Sequence, residues 1–64
     1  MEKITLKALR VNANLTQKVA AEKIGVSQKT VLNWEKGNTY PNQQQIEKIC
    51  LVYGVPYDCI KFVV

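Results

Sequence analysis

Gln28 and Lys29 follow Ser27 in the stretch GVSQKTVLNWEKG, residues 25–37. A carboxamide carries a donor and an acceptor side by side, and an ammonium carries donors only. Such groups read hydrogen-bonding edges and anions, and they do little for a core. Leu32 and Asn33 stand four residues after them, one helical turn further along the same face. The pattern recurs elsewhere. Gln17 and Lys18 follow Thr16, and Gln43, Gln44 and Gln45 follow Asn42. A helix that starts at such a capping residue offers free backbone N–H groups and the positive end of its dipole, both suited to phosphate. Catalytic chemistry is not expected. The chain has no histidine, so no mechanism that uses a histidine base is open to it. It shows no paired carboxylates in a cleft pattern and no nucleotide loop. Cys50 and Cys59 are not in a CxxC arrangement, which with no histidine argues against zinc. No cofactor is expected.

The chain has 64 residues, which fits one small domain over 1–64 with a thin core. Hydrophobic residues make up 47% of it, too many for a disordered tail. The net charge of +4 is compatible with a nucleic acid or another anionic surface. Both cysteines fall in apolar patterns, which reads as reduced, buried thiols in a cytoplasmic protein. No apolar run approaches the roughly 20 residues that cross a bilayer. The N-terminal MEKITLKALR has charges where a signal peptide needs its apolar region. The expectation is a cytoplasmic protein with no membrane partner.

Positioning these residues requires helices, and the periodicity is helical nearly throughout. Five short helices can be drawn, an all-α fold. The first covers residues 5–13, with Thr5 as cap and Leu6, Leu9 and Ala13 on its apolar face. The second covers 17–24 between Thr16 and Gly25, with Ala20, Ala21 and Ile24 inward. The third covers 28–36 between Ser27 and Gly37, with Val31 and Trp34 inward. After the loop NTYPN, Asn42 opens the fourth, and Gln45 three residues on suits a capping box. Ile46, Ile49, Cys50 and Tyr53 form its stripe, and Gly54 stops it. The remaining VPYDCIKFVV suggests a fifth helix over 57–62.

The turn between the second and third helices is only GVS. Gly25 can take a positive φ at little cost, Val26 plugs the corner, and Ala21 is small where the helices approach. This is the sequence form of a helix-turn-helix, whose second helix lies in the DNA major groove with its N-terminal residues on base edges. In that setting Gln28 matches the edge of adenine, and Lys29 matches guanine acceptors or a phosphate. Leu32, off the Val31 and Trp34 stripe, can meet a thymine methyl.

The segment LTQKVAAEKIGVSQKTVLNWEKGNTYPN resembles the helix-turn-helix domain of the phage lambda and 434 repressors, the Cro proteins and their bacterial relatives, the XRE-type regulators. Thr16 and Gln17, Ala21, Gly25, Val26 and Ser27, Trp34 and Glu35, and Gly37 carry the likeness, which runs from about Leu6 to Ile60. A five-helix domain that binds operator DNA as a dimer is what it implies. It places Gln28, Lys29 and Asn33 on base edges and Gln17 on phosphate near Gln28. It places the backbone around Lys36 and Asn38, and the start of the fourth helix at Gln43, Gln44 and Gln45, on phosphates. Ala13 and Ala20 stand where the family has larger aliphatic residues, so the core must close elsewhere, on Leu9, Val19 or Trp34. Val19 itself stands where the family has a polar residue.

Arg10 and Glu35 are out of place by spacing. Arg10 lies four residues after Leu6 and shares its face; Glu35 lies four after Val31, beside Trp34. An unpaired buried charge is costly, so the two are expected to meet in a structural ion pair. The resemblance implies the same bridge between the first and third helices.

The C-terminal CIKFVV has more apolar residues than one short helix buries. Tyr57, Phe62, Val63 and Val64 are left over for an interface between two copies, and the alternative is that they lead into a further domain. A homodimer on double-stranded DNA fits the family, since two recognition helices must sit about 34 Å apart. The leading expectation is a transcriptional repressor of phage type. The alternatives are the antitoxin of a toxin–antitoxin pair and a helix-turn-helix module used for protein–protein contact. An apolar or acidic recognition face would go with the last, and Gln28, Lys29 and Lys36 do not provide one.

Overall fold

A capping residue at one end and a chain reversal at the other delimit each helix. The computed structural model describes residues 3–63. Among these, four α-helices run in order: α1 (Leu6–Asn12), α2 (Gln17–Ile24), α3 (Gln28–Lys36) and α4 (Gln43–Tyr53). Thr5, Thr16, Ser27 and Asn42 each accept, through the side-chain oxygen, the N–H three residues on. At α4 the box is reciprocal, because the Gln45 side chain also accepts from the Asn42 N–H. Gly25 and Gly37 end α2 and α3 at φ of 91° and 80°, in the left-handed region where a Cβ is strained. No glycine follows α1. There Asn14 takes φ of 60°, as its short polar side chain permits, and turns the chain toward Thr16.

The buried faces follow the spacing. Leu6, Leu9, Ile24, Trp34, Ile49 and Ile60 form one cluster, joined at its edge by Val26, Cys50 and Tyr53. Ala20 is 0% exposed. Small side chains at Ala20 and Ala21 let α2 and α3 pack closely across their short turn. Leu9 and Trp34 are buried and close the core, whereas Val19 is exposed on the outer side of α2. Ala13 and Ile46 are only half-buried. The cysteines are half-buried rather than buried, and no disulfide joins them.

The fifth helix over 57–62 is not there. Pro56 leads into one 3₁₀ turn, Tyr57–Cys59, and the chain then runs extended as β2 (Ile60–Lys61). It pairs in parallel with β1 (Ile4–Thr5), Ile4 opposite Ile60 and Thr5 opposite Lys61. The exposure alternates along it: Ile60 is buried, Lys61 exposed, Phe62 half-buried and Val63 exposed. That is the period of a strand, and β-branched and aromatic residues favour it once a partner edge is at hand.

Candidate nucleic-acid interface

Hydrogen bonding decides which polar groups remain available. At the start of α3, Ser27 Oγ accepts from the Thr30 N–H at 3.1 Å and lies 2.8 Å from Thr30 Oγ1. Both hydroxyls are thereby used. Val31 and Trp34 are buried and hold the opposite face of the helix. Gln28 and Lys29 are exposed, and neither side chain is engaged with another among the described residues. Leu32 and Asn33 lie half-buried beside them. The α3 N-terminus therefore presents a carboxamide and an ammonium on a rigid, capped first turn.

At α2, Thr16 takes the Val19 N–H, so the first two amides, of Gln17 and Lys18, have no acceptor within the helix. Lys18 is exposed. The Gln17 side chain is not free: its Nε2 donates to Glu35 Oε1 at 3.1 Å. At α4 the capping box uses both the side chain and the N–H of Gln45. Gln43 and Gln44 remain, both exposed. The N-terminal turn of α4 lies beside the turn between α2 and α3, where Gly25, Val26, Gln44 and Lys48 line one shallow depression.

The loop after α3 corrects an expectation. The Gly37 N–H donates to the Asn33 and Trp34 carbonyls, and the Asn38 N–H donates to Asn33 O at 2.9 Å. These amides close the helix end and are not open to a phosphate. The exposed side chains of Lys36 and Asn38 are what that segment offers.

Arg10 and Glu35 meet between α1 and α3. Arg10 Nε donates to Glu35 Oε2 at 2.7 Å, and Nη2 reaches Oε1 at 3.4 Å. The side chains are 11% and 4% exposed. Nη1 donates to the Leu15 carbonyl at 2.9 Å, which pins the turn between α1 and α2. Hydrogen bonding to Glu35 raises the Arg10 pKa above its ordinary value. Nearby, burial first and the Glu35 charge second push the Tyr53 phenol up to about 12. The shares of Gln17, Leu15 and Tyr53 are not readable from spacing within any one helix, because they depend on how α1, α2 and α3 cross.

The apolar residues at the C-terminal end face two ways, although the Tyr57 and Phe62 rings still meet with centroids 6.4 Å apart. Tyr57 is 56% exposed. With Ile46, Leu51, Val55 and Pro56 it lines an open groove of about 870 Å³ along α4. Leu51, at 82% exposure, is the most exposed apolar side chain of this face and was not among the residues expected to be left over. Its signal was an apolar residue one position past the core stripe. Phe62 packs instead against the core and the Tyr40 ring, and the Val63 carbonyl accepts from Tyr40 Oη. Val64 lies outside the described residues.

The model of the helix-turn-helix family matches residues 6–58. The cryptic phage CTXphi transcriptional repressor RstR of Vibrio cholerae is 41% identical over 51 residues, covering 80% of this chain and 46% of that protein. The HTH-type transcriptional activator BcrR of Enterococcus faecalis is 38% identical over 53 residues, covering 83% of this chain and 26% of its own. An uncharacterised HTH-type transcriptional regulator of Methanocaldococcus jannaschii is 40% identical over 55 residues, 86% of this chain and 83% of the relative. The chain thus spans less than half the length of the first two. No solved structure matches it.

Proposed function

The chain belongs to the helix-turn-helix family, and from that premise we propose that it is a DNA-binding transcriptional regulator, a repressor that reads operator half-sites with α3 in the major groove. The observation that carries this reading is the first turn of α3. Gln28 and Lys29 stand exposed and unengaged there, while Val31 and Trp34 lock the other face into the core. Preorganised donors and acceptors on a rigid element are what base readout needs. Gln28 pairs with an adenine edge, Lys29 with guanine or phosphate, and Leu32 and Asn33 extend the contact by one turn. The free amides at the starts of α2 and α4, with Lys18, Lys36, Asn38, Gln43 and Gln44, take phosphates. The name of RstR as a repressor supports repression by occupancy of the operator.

Two copies bind together in this account, with the groove of Leu51, Val55 and Tyr57 between them. The test is selection from a pool of random duplexes at two salt concentrations, with sequencing of the bound fraction. Enrichment of an inverted repeat with half-sites about one helical turn apart supports the reading. Binding that vanishes at moderate salt without an enriched sequence is backbone attraction alone and contradicts it.

A further inference from the structure

The segment that follows β2 reaches the loop that leaves α3, through Val63. At Gly37 an added Cβ would lie 2.8 Å from the Val63 carbonyl oxygen and 3.1 Å from Val63 Cγ1, so only a hydrogen fits between loop and strand. The same carbonyl oxygen accepts from Tyr40 Oη at 2.8 Å. The Tyr40 ring meets Phe62 edge-on, with centroids 6.2 Å apart and planes at 76°. Behind these contacts the strand is anchored twice, by the buried Ile60 side chain and by pairing with Ile4–Thr5. One short extended segment therefore touches both ends of the loop 37–40 and holds them against the body of the molecule.

Lys36, the last residue of α3, and Asn38, in the loop, flank Gly37. Resting on the DNA-binding reading, we propose that residues 60–63 form a strap that fixes the loop 37–40, and that Tyr40 is a positioning residue for the phosphate contacts of Lys36 and Asn38. The physical ground is ordering. A loop that begins at a glycine and carries exposed polar side chains has many accessible conformations, and each contact it makes on binding must offset the loss of that freedom. A loop already fastened in the free protein loses less. The body of α3 and its first turn are held independently by Trp34 and by the Arg10–Glu35 pair, so the strap acts on the C-terminal end of the helix at Lys36 and on the loop, and through them on phosphate contacts.

Tyr40→Phe keeps the ring on Phe62 and removes only the hydroxyl that reaches Val63. Its amide hydrogen exchange should be several-fold faster at Asn38 in the free protein, with the α3 core amides unchanged. Its affinity for the selected duplex and for a scrambled duplex should fall by the same few-fold factor. The slope of log affinity against log salt should become shallower by about one contact, and the base preference should stay as in the parent. In a Lys36→Ala background the same change should no longer alter the slope. A merely stabilising hydroxyl would lower the thermal midpoint without moving the slope, and that result overturns the proposal. A loss confined to base preference overturns it as well. If the parent binds no duplex, the DNA-binding reading falls and the phosphate role with it. Unchanged exchange at Asn38 refutes the strap whatever the parent binds.

Discussion

Glu35 lies at 4% side-chain exposure with three donor groups facing its carboxylate, two from Arg10 and one from Gln17. Removing one partner leaves the other buried and unpaired. Arg10→Ala and Glu35→Ala should each cost about 3–5 kcal/mol in denaturant unfolding. The double variant should cost well under the sum, since each single change already forfeits the pair. Tyr53 supplies a pH signature. Its phenol titrates near 10 in the unfolded chain and is pushed up to about 12 in the fold. A raised pKa means that the folded state holds the proton longer. The stabilisation is full below pH 10 and is lost as pH rises from about 10 to about 12. Tyr53→Phe should flatten stability across that window, measured by thermal midpoint against pH. The ion pair was legible in the sequence because each charge sits four residues from a core position on an apolar stripe. Gln17 and Leu15 were not, since nothing in α2 or its preceding turn shows that they come to lie against α1 and α3.

At the scale of elements, the helix starts and most of the ends could be read because they are local chemistry. A Thr, Ser or Asn before an apolar repeat and a Gly after it determine α2, α3 and α4. Asn42→Ala removes the side-chain oxygen that accepts from the Gln45 N–H, leaves the backbone N–H that donates to Gln45, and should lower stability by about 1 kcal/mol, as thermal unfolding would show. The stretch after Pro56 was misread as helix for a physical reason. A short apolar run fits a helix or a strand, and periodicity alone does not separate them. What decides it is β1 at the opposite end of the chain, a partner that the local pattern does not contain. The same distance hid the contact of Tyr40 with Val63. The start of the loop is fixed locally by the α3 cap, and its far end at Tyr40 is held by the return of the C-terminal segment.

At the largest scale, the described fold measures 30 × 23 × 20 Å. Half-sites in the proposed mode lie about 34 Å apart, so one copy cannot fill both and a second must bind alongside. Sedimentation on a selected duplex should give two chains per site, and Leu51→Lys in the α4 groove should reduce cooperative occupancy while leaving one half-site filled. The net charge of +4 steers the protein to DNA in a salt-dependent way but confers no preference among sequences. Preference has to come from the first turn of α3, and this is the central claim. Its most direct test is to run the random-duplex selection in parallel for the parent and for Gln28→Ala, with matched thermal midpoints as the check on folding. The account predicts the same inverted repeat for both, with discrimination relaxed at one base per half-site by about 1–3 kcal/mol in the variant. An identical motif from both proteins, or no enriched motif from the parent, would contradict it.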